Sequence, residues 1–246
     1  MKIPTDYRPA PDALHERVVL VTGAGDGLGR ATAIGCAKHG AMVVLLGRTV
    51  KKLEETYDAI RAAGGADPAI YPMNLAGANW NDHVELGATL ERELGALHGI
   101  VHCAAHFKEF APLAGVEPRE WMESLQVNLT APFALTRACL PLLEKSGDAS
   151  VVFVSDESGR AAKRYQGAYG IAKQALEALT KNWASELPST SGVRMNSFNP
   201  GPLRTALRAR GFPGEARDAA PLPESVVPSL LWLLSRESAG VSGQQL

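Results

Sequence analysis

The chain has 246 residues, 46% hydrophobic and 21% charged, which suits one large domain or two small ones and excludes a disordered tail protein. Its formal net charge is −1, from 25 Lys and Arg against 26 Asp and Glu, so it offers no bulk basic field to nucleic acid or an anionic membrane. Cys36, Cys103 and Cys139 are far apart, a usage that fits a reducing compartment better than a disulfide framework.

Residues 1–16 contain no apolar leader segment. The stretch 121–143 is interrupted by Glu123, Gln126, Asn128, Arg137 and two prolines, so it does not read as a membrane span. The expectation is a cytoplasmic protein with an N-terminal arm over 1–16 and one domain over 17–246.

The elements alternate. VVLVTG (18–23) reads as a strand and residues 28–39 as a helix. MVVLLG (42–47) is a second strand, followed by an amphipathic helix over 51–63. AIYPMN (69–74) is a weaker third strand, which Pro72 confines to a sheet edge or a strand end. A polar helix over 80–95 leads to GIVHCA (99–104). Residues 118–143 read as a long helix, bent or broken at Pro132. SVVFVS (150–155), a helix over 166–186 and VRMNSF (193–198) follow. Short, continuously apolar strands are covered on both faces, and their alternation with helices implies βαβ units. The fold class is therefore α/β, a doubly wound parallel sheet with helices on both faces. The Pro- and Gly-rich segment at 203–222 is a candidate substrate lid.

Gly23, Gly25, Asp26, Gly27, Leu28 and Gly29 join the first strand to the first helix. Glycine permits a tight turn and close backbone approach to a pyrophosphate, and the helix N-terminus presents free N–H groups to it. An acid about 20 positions further on would take the ribose 2′-hydroxyl of NAD. Arg48 stands there instead, 19 residues after Gly29. A guanidinium can clamp a 2′-phosphate, which favours NADP(H) and leaves NAD(H) as the second choice. Asp26 opposes this reading, because its carboxylate would repel the phosphate.

Tyr169 and Lys173 stand four apart at the start of the 166–186 helix, on one face. An ammonium beside a phenol lowers the phenol pKa from about 10 towards neutrality, making Tyr169 a candidate general acid or base for a carbonyl or alcohol.

With TGAGDGLG (22–29), VNL (127–129), YGIAK (169–173) and NPGPLRT (199–205) in this order, the chain resembles the short-chain dehydrogenase/reductase family over residues 17–246. The phrase LLGRTVKKL and the arm are similar to the bacterial YciK-type branch. The resemblance implies a Rossmann-type, mostly parallel seven-stranded sheet and a homodimer or homotetramer. It implies a hydride transfer between nicotinamide and a small carbonyl or secondary alcohol, with Tyr169 moving the proton. Lys173 would also hold the nicotinamide ribose, and Asn128 would anchor a water behind Lys173. Pro200, Gly201 and Leu203 would run beside the nicotinamide, and Thr205 would reach the diphosphate.

Three positions depart from the family pattern. Where the family carries its catalytic serine, 13 residues before the tyrosine, this chain has Asp156. An ionised carboxylate cannot donate to a substrate oxygen and would raise the Tyr169 pKa. Four readings stay open: Asp156 works protonated, Ser155 or Ser158 takes over, activity is weak, or Asp156 binds a cationic group on the substrate. Cys103, Ala104 and Ala105 replace an Asn-Ala-Gly run; the alanines still let the cofactor approach, while Cys103 loses the amide bonds that tie strands together. Asn74 and Leu75 stand where an aspartate meets the adenine amine, and the Asn74 carbonyl can still accept. The family's last strand also runs on where GVSGQQL (240–246) ends, so either the natural chain continues past Leu246 or its terminal interface is altered.

His102, Cys103 and His106 have no second ligand cluster, so no metal is expected. No Gly-x-Ser-x-Gly elbow marks a serine hydrolase. Arg204, Arg208, Arg210 and Arg217 form either a solvated face or a contact for an acidic substrate or carrier. Two functions remain: an NADP(H)-dependent oxidoreductase, or a cofactor-binding sensor or partner subunit with vestigial catalysis.

Overall fold

The computed structural model describes residues 3, 4, 6–188 and 190–246; Met1, Lys2 and Thr5 of the expected arm lie outside the described residues. Six strands form one sheet: β1 (Val18–Thr22), β2 (Met42–Gly47), β3 (Ala69–Pro72), β4 (Gly99–His102), β5 (Ala149–Val154) and β6 (Val193–Phe198). Their order is β3-β2-β1-β4-β5-β6, with every pairing parallel. This is the doubly wound order, whose direction reverses beside β1 and opens a crevice at the carboxyl ends. Pro72 ends the edge strand, where its missing N–H costs least.

Side-chain alternation sorts the core into two layers. Val19, Val21, Val43, Leu45 and Val152 face α1 (Gly27–Lys38), α2 (Val50–Ala62) and α9 (Val227–Leu234). Leu20, Val44, Leu46, Ile100 and Phe153 face α3 (Trp80–Leu94), α5 (Ala131–Lys145) and α7 (Gly167–Glu186). Each such side chain contributes roughly 1.5–3 kcal/mol by leaving water. Leu14 from the arm is fully buried, and its N–H donates to the His39 carbonyl at 2.9 Å.

Two sequence expectations need correction. The sheet has six strands among the described residues, not seven. Gly243 turns at φ +71°, and the segment after it meets β6 through a single bridge, Ser197 to Gln245. Four backbone hydrogen bonds still dock it, including Gly243 N–H to the Met195 carbonyl at 2.7 Å. The long helix is two helices, α4 (Pro118–Leu125) and α5, joined by a π turn at Gln126–Thr130. The break thus precedes Pro132, which sits in the first turn of α5. Pro132 has no N–H to return to the Asn128 carbonyl four residues back, so the regular ladder fails there.

Candidate active site

A cavity of about 1020 Å³ opens at the carboxyl ends of the strands. That is the upper end of the roughly 300–1,000 Å³ of small-molecule sites. All the expected cofactor residues line it: the Gly23–Gly29 loop positions, Arg48, Asn74, Leu75, Cys103 to Ala105, Tyr169, Lys173, Pro200, Gly201, Leu203 and Thr205. Ser155, Asp156 and Ser158 line it too. Asn128 is outside the lining.

The glycine loop is built by close approach. Gly23 has φ +67°, and a Cβ there would lie 3.0 Å from the Ala104 backbone. A Cβ on Gly29 would collide with the Gly23 carbonyl, so the helix could not start against the strand. The tie that Cys103 cannot make comes from Thr22, whose Oγ1 accepts from the Ala104 N–H at 3.1 Å. Burial pushes the Cys103 thiol up to about 12, so it is a small neutral packing group.

Asp26 caps α1 by accepting from Gly27 N–H at 2.8 Å, while its other oxygen accepts from Lys52 Nζ at 2.5 Å. The Lys52 hydrogen bond, followed by a smaller opposing effect of burial, leaves the Asp26 pKa below its ordinary value. Its negative charge is thus offset locally, which removes the objection that it would repel a 2′-phosphate near Arg48. Arg48 is exposed at the end of β2. Asn74 Oδ1 accepts from Ala76 N–H at 3.3 Å.

Tyr169 and Lys173 project from the first turns of α7, buried to 9% and 3% exposure. Lys173 Nζ donates to the Val154 carbonyl at 2.7 Å and lies 5.6 Å from the Tyr169 ring centre. The expected lowering of the Tyr169 pKa does not occur in the free protein. Burial first, then the charge of Asp156 and a contact with it, hold the phenol well above its ordinary value. Burial lowers the Lys173 pKa, against the opposing pull of Asp156, Cys103 and Glu177. The ammonium is therefore too desolvated and too engaged to outweigh the carboxylate.

Asp156 begins α6 (Glu157–Arg160), and its Oδ1 accepts from both Ser158 N–H at 2.7 Å and Ser158 Oγ at 2.5 Å. The Ser158 hydroxyl is thus spent on Asp156. Ser155 is 2% exposed, and its Oγ has no partner among the described residues. That oxygen lies against Gly159, 2.5 Å from where a Cβ would stand.

Asn128 is 1% exposed and straps the loop after β4. Its Nδ2 donates to the His106 carbonyl at 2.8 Å and the Ser124 carbonyl at 2.9 Å, while its Oδ1 accepts from His106 N–H at 3.1 Å. Its amide therefore fixes the cavity wall from behind.

Sequence reasoning missed that wall. Phe107 packs edge-on to Tyr169 at 5.4 Å and to Phe110 at 5.0 Å, and Phe110 meets Phe212 at 5.2 Å. Arg210 donates to the Phe107 carbonyl at 2.9 Å, pinning α8 (Ala206–Gly211) in the 203–222 segment across the cavity. Arg208 is bidentate on Glu215 at 2.6 Å, so the basic run is partly neutralised. His102 and His106 diverge. His102 stacks on Phe153 and contacts Thr136 Oγ1 at 2.8 Å, with burial lowering its pKa to about 3. His106 meets Glu120 at 2.9 Å and lies near Glu123, a grouping of three possible metal ligands invisible in the sequence. Glu123 there is already paired with Arg119 at 2.7 Å.

A family model described as short chain dehydrogenase matches residues 17–216. The chain belongs to the short chain dehydrogenase family. It is 36% identical to the uncharacterized oxidoreductase YciK of Escherichia coli K12, over 96% of this chain and 93% of that one. A solved short chain dehydrogenase structure from Pseudomonas syringae is 44% identical, with TM-score 0.96 and 98% of both chains covered. Another, from Escherichia coli CFT073 in complex with NADPH, is 36% identical with TM-score 0.93, covering 97% of this chain and 98% of that one. The family match agrees with the doubly wound sheet and the order of motifs along it. No helix among the described residues is long and apolar enough to cross a membrane.

Proposed function

We propose that the protein is an NADP(H)-dependent oxidoreductase acting on a small carbonyl or secondary alcohol. The observation that carries this reading is the placement of Tyr169 and Lys173 in one cavity with a glycine cradle and Arg48. The NADPH held by the related Escherichia coli CFT073 structure supports the same cofactor here. The close approaches at Gly23 and Gly29 leave backbone, not side chains, facing a diphosphate. Arg48 would hold the 2′-phosphate, with Lys52 shared between it and Asp26. Thr205, whose Oγ1 caps α8 at 3.2 Å, would turn towards the diphosphate.

When bound, NADPH supplies a hydride from its nicotinamide ring. Tyr169 donates its phenol proton to the substrate oxygen as charge develops there. Lys173 would hold the ribose hydroxyls and stabilise the phenolate left behind. The Val154 carbonyl keeps the Lys173 ammonium in place until then. Asn128 holds the loop that carries Phe107, and an Asn128-anchored water behind Lys173 would resupply the proton. Phe107, Phe110 and Phe212 exclude water from the reacting carbon.

The test is NADPH oxidation, followed at 340 nm, against a panel of ketones, aldehydes and thioester-linked carbonyls near neutral pH. Turnover with NADPH that disappears in Tyr169→Phe supports the proposal. A second reading, cofactor binding with vestigial catalysis, is favoured by the raised Tyr169 pKa, which burial and then Asp156 produce. Tight NADPH binding, no turnover, and activity gained in Asp156→Ser would support it.

A further inference from the structure

The lining of the cavity carries four carboxylates, and their partners differ. Asp26 is paired with Lys52, and Glu123 with Arg119. Glu157 is exposed at the rim. Asp156 forms no ion pair among the described residues, although Lys173 is nearby with its nitrogen committed to Val154. Its single engaged oxygen, Oδ1, takes both Ser158 donors. The rest of the carboxylate is left to the cavity, which Tyr169 also lines.

This arrangement bears on the four roles open to Asp156. Ser155 and Ser158 do not replace the missing serine, because one hydroxyl is buried against Gly159 and the other is donated to Asp156. A carboxylate that accepts an N–H and an O–H on one oxygen is arranged as an acceptor. An acceptor beside the reacting carbonyl repels the oxygen of a simple ketone. A positive charge on the substrate removes that conflict.

We propose that Asp156 is a specificity residue, and that the substrate is a ketone or alcohol with an ammonium group on the carbon next to the reacting one, an amino ketone or amino alcohol. This rests on the oxidoreductase reading above. The ammonium pairs with Asp156 while the adjacent oxygen meets Tyr169. Pairing also cancels the negative charge beside the phenol, so Tyr169 gives up its proton more readily once such a substrate is seated. The reaction balances as amino ketone plus NADPH plus a proton giving amino alcohol plus NADP⁺. The hydride goes to carbon, the Tyr169 proton goes to oxygen, and solvent restores the Tyr169 proton. Phe107 and Phe110 cover the remaining apolar part of the substrate.

The probes are two matched pairs: 2-amino-1-phenylethanone with 2-hydroxy-1-phenylethanone, and aminoacetone with hydroxyacetone. The first member of each carries the cation and the second replaces it with a neutral hydroxyl. A charge-assisted hydrogen bond to a half-buried carboxylate predicts a kcat/KM about 10- to 100-fold higher for the amino member. Asp156→Asn and Asp156→Ser both keep a helix-capping side chain, so the fold is retained. Both should bring the ratio to about one or below. A wild-type ratio at or below one overturns the proposal, as does a ratio that survives Asp156→Asn. Equilibrium binding of 2-amino-1-phenylethanol and 1-phenyl-1,2-ethanediol to the NADP⁺-loaded protein separates the two readings. Preferential amine binding lost in Asp156→Asn, without turnover of any probe, supports the charge recognition while the oxidoreductase reading fails. Equal binding of amine and diol overturns the charge recognition whatever the turnover.

Discussion

β5 has an aspartate at each end, Asp148 just before it and Asp156 just after it. Asp148 is enclosed by cations. It accepts from Arg17 at 2.7 Å and from Arg194, with both arginines buried, and Arg236 stands 3.6 Å away. Burial raises its pKa, but the hydrogen bonds and charges of Arg17 and Arg194 outweigh that and hold it below the ordinary value. Asp156 has no such enclosure, and its charge falls on Tyr169, the proposed proton donor. The amino end of the sheet neutralises its charges and holds strands together. The carboxyl end keeps a charge unneutralised in the cavity that Tyr169 lines, which is how a ligand site differs from a structural ion cluster.

The contrast is broken most severely at Tyr169. Tyr169→Phe should lower turnover by about 10²–10⁴-fold, the usual contribution of a positioned proton donor. NADPH affinity, read by fluorescence, should stay nearly unchanged; a parallel loss of affinity would mean that the hydroxyl holds the cofactor instead. At the other end, Asp148→Ala leaves two buried guanidinium groups unpaired and should cost about 3 kcal/mol of stability in denaturant melts. Cofactor affinity should not move. Because the Asp148 pKa is lowered on folding, its contribution is present above the unfolded carboxylate value of about 3.9 and is lost as pH falls through the folded value. The acid limb of the stability profile should therefore flatten in Asp148→Ala, and an unchanged limb would remove Asp148 from that role. The smallest effect is at the cofactor rim. Arg48→Ala should weaken NADPH by about tenfold and NADH hardly at all, as expected for one charged hydrogen bond to a 2′-phosphate. Equal losses would remove that role.

The layered α/β architecture was legible because its strands are short and continuously apolar, a pattern that survives without tertiary information. The glycine loop and the Tyr169–Lys173 pair were legible because each is local, set by spacing along one turn or one helix face. The seventh strand was expected from resemblance, and its counterpart here docks on β6 through four backbone hydrogen bonds but a single bridge. The break in the long helix was expected from Pro132, but the π turn that absorbs it falls one turn earlier, around Asn128. What could not be read were contacts between residues far apart: Lys52 on Asp26, Asn128 on His106, and Phe212 on Phe110. Each depends on how helices settle on the sheet, which no local pattern records. The substitution at Asp156 was visible, but its consequence for Tyr169 needed the burial of the Tyr169 phenol.

The most direct test of the contrast is a phenol absorbance titration of the free protein, taking the difference from Tyr169→Phe to isolate the Tyr169 signal. In wild type the Tyr169 phenol should stay protonated beyond the ordinary tyrosine range. In Asp156→Asn its ionisation should move to lower pH, because the opposing charge is gone while the burial remains. An unchanged titration in Asp156→Asn would show that Asp156 does not set the Tyr169 proton, and the account of the site would be wrong.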